Sequence, residues 1–134
     1  MAWEIAFRLD SSPTAIRAAR KAVYGMAVGV GTAEVDARDI ELAVGEALRN
    51  ARHHAYHDKS GPLDLTVGFH GTHLTVIIRD HAAEAGTLPS IPRKLPDQRE
   101  ARGLYVVRKL TDEASIERAA DGPGTVFRMV KRVH

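Results

Sequence analysis

The segment that decides the fold covers residues 41–56 and reads ELAVGEALRNARHHAY. Apolar residues in and just before it recur at the three- and four-residue spacing of a helix, which predicts a stripe facing the core. Glu46 and Asn50 are four residues apart, so they share a face beside that stripe. There a carboxylate and an amide oxygen suit a hard cation such as magnesium, although a solvated helix face also produces such pairs by chance. The stripe consists of Ile40, Val44, Ala47, Leu48, Ala51 and Ala55.

Patterns on either side of this helix predict a strand, a first helix, a hairpin, a long loop, a third helix and a second hairpin. Hairpins pair antiparallel strands and the chain has few crossover units, so we predict an α/β (α+β) two-layer sandwich. Its sheet is expected to be mixed and mostly antiparallel, with helices on one face. The predicted elements are an edge or near-edge strand at 3–9, helices at 13–28 and 34–56, strands at 63–70 and 73–79, a loop at 82–101, a helix at 103–110, and strands at 114–117 and 125–130.

The composition is that of an ordinary globular protein, with 44% hydrophobic and 27% charged residues in a single predicted domain of 134 residues. No apolar run is long enough for a membrane span, and the acidic, alternating N-terminus is unlike a secretory signal, so we expect a cytoplasmic protein without membrane contact. The absence of cysteine excludes disulfides, zinc–thiolate sites and thiol catalysis. A formal charge of +2 and 5% aromatic residues argue against direct nucleic-acid binding.

The string EALRNARHHAY at 46–56, together with Asp80 and with GLYVVRKLTDE at 103–113, resembles the ATP-binding domain of the GHKL superfamily, the Bergerat fold. Within that superfamily it resembles the small bacterial serine kinases that act as anti-sigma factors. The resemblance covers nearly the whole chain in the same order. The chain shows no phospho-accepting helical hairpin, which argues against a sensor histidine kinase.

The resemblance implies roles for three polar residues. Asn50 matches the asparagine that holds Mg²⁺ on the phosphates of ATP, and Glu46 matches the general base that acts on the substrate hydroxyl. Asp80 matches the aspartate that accepts a hydrogen bond from the adenine amino group, although an aspartate at a strand end can also cap a turn. His54 falls within the same motif, and a structural histidine explains it equally well.

The remaining candidate residues lie near the phosphates. Arg102, Gly103 and Leu104 are predicted to open the third helix, where backbone amides and the helix dipole favour phosphate oxygens. Thr125 matches a threonine of the last family motif, and a plain hairpin turn explains its neighbourhood nearly as well. We expect residues 82–101 to form a lid over the ATP.

Two departures from the family pattern concern its glycines. The usual D-x-G-x-G reads Asp80-His81-Ala82-Ala83-Glu84, and the G-x-G before the third helix reads Ala101-Arg102-Gly103. Both changes put close approach of the backbone to the nucleotide in doubt. An inward-pointing Glu84 would also repel phosphate.

The leading hypothesis is therefore an anti-sigma factor and serine kinase, which binds a sigma factor and phosphorylates a STAS-type anti-anti-sigma antagonist with Mg-ATP. The resemblance also implies a homodimer, and Arg17 and Arg20 on the exposed face of the first helix are candidates for a protein interface. A degenerate, non-catalytic module that sequesters the same partners is the alternative. An unrelated metabolic α/β domain would place its pocket away from Asn50 and Asp80.

Overall fold

Residues 2–83 and 87–133 are described by the computed structural model, which contains five strands and three helices in this part of the chain. All of the predicted elements are present, and the second helix has the predicted bounds. In chain order the elements are β1 (Ala2–Asp10), α1 (Pro13–Gly29), α2 (Glu34–Tyr56), β2 (Pro62–His70), β3 (His73–Asp80), α3 (Arg99–Leu110), β4 (Glu113–Arg118) and β5 (Thr125–Arg132).

The strands form one sheet in the order β1-β2-β3-β5-β4, with β1 and β4 at its edges. The two-layer α+β architecture is confirmed. The sheet was expected to be mixed and mostly antiparallel, and all four pairings among the described strands are antiparallel. The reason is that β2–β3 and β4–β5 are hairpins, which are antiparallel by construction, and β5 then runs antiparallel beside β3.

The core lies between one face of the sheet and the helices. Leu63, Leu65 and Val67 alternate along β2 with half-buried residues and have no solvent exposure, as expected for a strand with one covered face. Val44 and Leu48 of the α2 stripe are also fully buried. Burying a side chain of this size contributes about 1.5 to 3 kcal/mol of transfer free energy, so the stripe fixes which side of α2 faces the sheet.

Two serines at the start of α1 have different roles. The Ser12 side chain accepts a hydrogen bond from the Ala15 backbone N–H at 3.2 Å and caps the helix, with Pro13 as its first residue. Ser11 is fully buried, and its backbone N–H and side-chain oxygen both bond to the backbone of Gly61 at 2.9 Å. The beginning of α1 is thereby tied to the turn that precedes β2.

Among the described residues, no helix is long and apolar enough to cross a bilayer.

The start of α3 differs from the prediction. The helix begins at Arg99, four residues before Gly103, because the segment between them continues the helical backbone and no residue in it breaks a helix. Gly103 therefore lies in the second turn, beyond the amides that a helix start leaves free. Residues 87–98 form an irregular segment before α3. Glu84, which the sequence marked as a possible obstacle to phosphate, lies outside the described residues.

Candidate functional site

Two adjoining cavities lie along α2, and Asn50 lines both of them. The larger cavity, of about 600 Å³, is formed by α1, α2 and the beginning of α3, and Glu46 lines it. The smaller cavity, of about 120 Å³, is formed by the ends of α2 and β3 and the start of β5, and Asp80 and Thr125 line it. The predicted acid and aspartate, Glu46 and Asp80, therefore line different cavities, and Asn50 is the residue that the two cavities share.

Asp80 ends β3 and is buried, with 6% of its surface exposed. Its Oδ1 accepts hydrogen bonds from the backbone N–H groups of Ala82 and Thr125, at 3.1 and 3.2 Å. Both hydrogen bonds end on the same oxygen, so neither of them uses Oδ2. Because a buried carboxylate is costly without donors, the smaller cavity suits a ligand that donates a hydrogen bond to Asp80.

Gly124 allows β5 to begin directly against Asp80. Its φ of 110° disfavours any residue with a side chain, and a Cβ at this position would overlap the Asp80 backbone oxygen. The segment before Thr125 is therefore a hairpin turn that brings Thr125 to the smaller cavity. The two interpretations of this segment that the sequence left open are compatible.

A hydrogen-bonded cluster adjoins the end of β3. The Tyr56 hydroxyl donates to the Pro62 carbonyl oxygen at 2.6 Å and accepts the His81 backbone N–H at 2.9 Å. The His81 ring nitrogen Nε2 lies 2.6 Å from the Asp64 carboxylate, to which Arg8 also donates at 2.7 Å. The hydrogen bond from Arg8 lowers the pKa of Asp64 to about 2, and burial raises the pKa of the Tyr56 hydroxyl.

Glu46 stands at the wall of the larger cavity, with 30% of its side chain exposed. Its Oε1 accepts a hydrogen bond from Arg49 Nη2 at 2.5 Å, one helical turn further along α2. Its Oε2 lies so close to Gly103 that a Cβ there would overlap it. The glycine therefore provides space for the carboxylate, which is a different role from the helix-start position expected from the sequence.

Five arginines and two carboxylates are among the residues that line the larger cavity. Arg49, Arg52 and Arg99 were not singled out in the sequence, and Arg17 and Arg20 were assigned only to an exposed face of α1. Guanidinium groups bind phosphate and carboxylate groups, so the cavity suits an anionic ligand or an acidic partner. The spacing of Arg49 from Glu46 could have revealed it. Only the packing of α3 against α2 brings Arg99 to the site.

The three residues expected at the start of α3 separate in the structure. Gly103 and Leu104 line the larger cavity, and Leu104 is also part of the core. Arg102 lines neither cavity, and its guanidinium donates to the carbonyl oxygens of Pro96 and Asp97 at 3.2 and 3.3 Å. This arginine therefore ties the irregular segment to α3.

No group of three or more His, Cys, Asp or Glu side chains in the described ranges is arranged to hold a metal ion. A magnesium ion at Asn50 would therefore take most of its ligands from phosphates and water, which is how proteins commonly hold this ion. The amide oxygen of Asn50 is a suitable ligand for it.

A sequence model of the histidine kinase-like ATPase domain matches residues 9–131, so the chain belongs to that family. The family expected from the resemblance is confirmed. Similar proteins include the serine-protein kinase RsbW of Bacillus licheniformis, with 29% identity over 123 residues that cover 84% of this chain and 77% of RsbW. The anti-sigma F factor of Thermoanaerobacter sp. (strain X514) is 28% identical over 120 residues, which cover 86% of this chain and 83% of that protein.

The fold is also similar to a solved structure. The crystal structure of the RsbU and RsbW domains of a Mycobacterium tuberculosis protein matches 98% of this chain with a TM-score of 0.71 and 21% identity. This chain spans 32% of that longer chain. The comparison supports the two-layer architecture described above.

Proposed function

We propose that this protein is an anti-sigma factor with serine-protein kinase activity. It binds a sigma factor and, using ATP and Mg²⁺, phosphorylates a serine of a STAS-type anti-anti-sigma antagonist. The names of two similar proteins, serine-protein kinase RsbW and anti-sigma F factor, support the two parts of this proposal. The structural observation that carries it is the position of Asn50 between the two cavities, with Asp80 on one side and Glu46 on the other.

The smaller cavity fits the base of a nucleotide. Asp80 offers the carboxylate oxygen that its two backbone hydrogen bonds do not use, and this oxygen can accept a hydrogen bond from an amino group. Ile78 and Phe127 provide apolar walls for a ring. A polar group at one end and apolar walls are the usual composition of such sites.

The region around Asn50 fits the phosphates and the metal ion of Mg-ATP, which would supply the phosphoryl group. Asn50 would hold Mg²⁺ through its amide oxygen. Arg99 lines the larger cavity and also opens α3, whose first-turn amides favour negative charge. The expected lid covered residues 82–101, but residues 99–101 belong to α3, so we propose that the irregular segment 87–98 closes over the nucleotide as a lid.

Glu46 is the proposed general base. The ionised carboxylate accepts the proton of the substrate serine hydroxyl, which has to come within hydrogen-bonding reach of it. Arg49 orients the carboxylate through its 2.5 Å hydrogen bond. Because the larger cavity is open to solvent at Glu46, a serine on a protein partner can approach from outside.

We also propose a homodimer and a partner surface that includes Arg17 and Arg20. The strand β1 lies at an edge of the sheet, and Ile5 on it is 45% exposed. A second copy of β1 paired antiparallel about Ala6 would place Glu4 opposite Arg8 of that copy, which is favourable. Light scattering should give twice the mass of the chain, and a monomer at micromolar concentration would contradict this expectation.

A non-catalytic binding module is the second candidate. One feature favours it: Ala82, whose backbone N–H bonds to Asp80, stands where the family usually has glycine. Such a module would bind the same partners with weak or no ATP binding.

Titration calorimetry with ATP, in the presence and absence of Mg²⁺, tests the kinase proposal. We expect the wild-type protein to bind Mg-ATP and Asn50→Ala to lose at least about tenfold in affinity, because the magnesium ligand is gone. Glu34→Ala, on the same helix but outside both cavities, is the matched control and should bind normally. Absence of wild-type binding at millimolar ATP would reject the kinase in favour of the binding module.

Phosphoryl transfer separates the base from the binding residues. Glu46→Gln should keep Mg-ATP affinity and lose transfer to a STAS-type antagonist encoded by the same genome, since glutamine cannot accept the proton. Transfer is measured with labelled ATP and mass spectrometry of the antagonist. Turnover equal to that of the wild type would show that Glu46 is not the base.

A further inference from the structure

Tyr56 connects α2 to the ends of β2 and β3 beside the smaller cavity. It is the last residue of α2, the helix that carries Asn50. Its ring packs on Gly61 so closely that a Cβ there would lie 2.5 Å from the ring carbons. Its hydroxyl accepts the backbone N–H of His81 at 2.9 Å and donates to the Pro62 carbonyl oxygen at 2.6 Å.

The His81 amide is important because this residue directly follows Asp80. The Asp80 carboxylate in turn accepts the N–H groups of Ala82 and Thr125. The end of β3 is thus held at three consecutive residues, and Tyr56 supplies the contact that comes from α2. Burial raises the pKa of the tyrosine hydroxyl, so at neutral pH it stays protonated and can donate and accept at the same time.

We propose that Tyr56 is a specificity-determining positioning residue, whose hydroxyl sets the place of the Asp80 carboxylate relative to Asn50 and thereby makes the smaller cavity selective for adenine among nucleotide bases. This inference rests on the proposed nucleotide-binding function and assigns no contact between Tyr56 and the ligand. Tyr56 acts through the backbone of His81, and Asp80 alone reads the base.

The position of Tyr56 predicts which part of a nucleotide it affects. Tyr56 is almost two helical turns beyond Asn50, and its hydroxyl hydrogen-bonds to the backbone of Pro62 and His81 at the β2 and β3 ends. Phenylalanine would keep the ring against Gly61 but would leave the His81 N–H and the Pro62 carbonyl without this partner. Asp80 would then be less well placed, whereas the groups that line the larger cavity would be unchanged.

Binding of three probes to Tyr56→Phe tests the proposal: ATP, GTP and inorganic tripolyphosphate, each with Mg²⁺. We expect ATP affinity to fall about five- to tenfold, the effect of one hydrogen bond, and the affinities for GTP and tripolyphosphate to stay within about twofold. The preference for ATP over GTP then shrinks by the same five- to tenfold. Tyr24→Phe is the matched control, because Tyr24 lies on α1 with its ring against Arg38, and it should bind all three probes normally.

A parallel loss of affinity for all three probes would show a merely structural role and overturn the proposal, as would unchanged selectivity. Amide hydrogen exchange gives a readout that needs no ligand: the His81 N–H should exchange faster in Tyr56→Phe than in Tyr24→Phe. Equal protection of His81 in the two variants would also overturn the proposal. Failure of the wild type to bind ATP would reject the proposed function itself, which distinguishes it from a failure confined to Tyr56.

Discussion

The two cavities on either side of Asn50 are walled by different kinds of contact. In the smaller cavity, Asp80 is fixed by backbone groups, and Gly124 lies against the Asp80 backbone. In the larger cavity, Glu46 is held by the flexible side chain of Arg49, and Gly103 lies against the carboxylate itself.

The difference indicates that the two cavities are suited to different tasks. Backbone contacts cannot rearrange cheaply, so the smaller cavity is suited to recognising one rigid group. Side-chain contacts can adjust by rotation, and the larger cavity is open to solvent at Glu46. A substitution at Gly124 should therefore mainly affect folding, whereas one at Gly103 should mainly affect activity.

The largest effect is expected for Gly124→Ala. The added Cβ would overlap a backbone oxygen and would sit at a φ of 110°, so the β5 start has to move. We expect the free energy of unfolding to fall by at least about 2 kcal/mol, measured by urea denaturation. Gly122→Ala is the control from the same turn, because its Cβ would have an ordinary 3.5 Å contact with Arg79. Equal stability of the two variants would contradict the rigid-wall description.

Gly103→Ala should change activity more than stability. The new Cβ would overlap Glu46 Oε2, at the end of a flexible side chain, and alanine in a helix interior is favoured over glycine by about 1 kcal/mol, so folding is preserved or improved. Displacing the proposed base should lower phosphoryl transfer about tenfold or more, measured with labelled ATP. Gly25→Ala in α1 has open space around its Cβ and is the control. Phosphoryl transfer by Gly103→Ala at the wild-type rate would show that this glycine does not affect the reaction.

The smallest effect is expected for Asp64→Asn, which removes the ion pair with Arg8 and the carboxylate contact with His81 beside the smaller cavity. The folded-state pKa of Asp64, about 2, is below the ordinary value of 3.8, so its contribution to stability is fully present above about pH 4 and is lost as pH falls through about 2. The asparagine variant should lack that part of the acid dependence. The Arg8 and Asp64 side chains are partly exposed, so the free energy of unfolding at pH 7 should fall by less than about 1 kcal/mol.

Thermal unfolding between pH 2 and 7 measures this difference. Asp10→Asn, an exposed carboxylate on the neighbouring strand β1, is the control and should follow the wild-type curve. A wild-type acid dependence in Asp64→Asn would show that the cluster around His81 adds nothing to acid stability.

The sequence predicted most of the fold because hydrophobic spacing reports which face of an element is buried. The α2 stripe and the β2–β3 hairpin around Gly71 have this kind of local signal, and their bounds agree with the structure to within a residue or two. The predicted start of α3 was wrong because a helix boundary depends on weak local preferences. The family pattern placed the helix start at Gly103, whereas α3 begins at Arg99. The order of the strands was not predicted, since pairing is decided by packing rather than by local sequence.

For the candidate site, the sequence by itself determined which chemical groups are available and that Glu46 and Asn50 share a helix face. Only the tertiary structure decided that Asp80 lies in a cavity apart from Glu46, that Arg99 joins the larger one, and that Tyr56 connects α2 to the strand end. These contacts join residues far apart in the chain, so no local spacing encodes them. They arise when the helix layer packs on the sheet and brings its ends beside the ends of the strands.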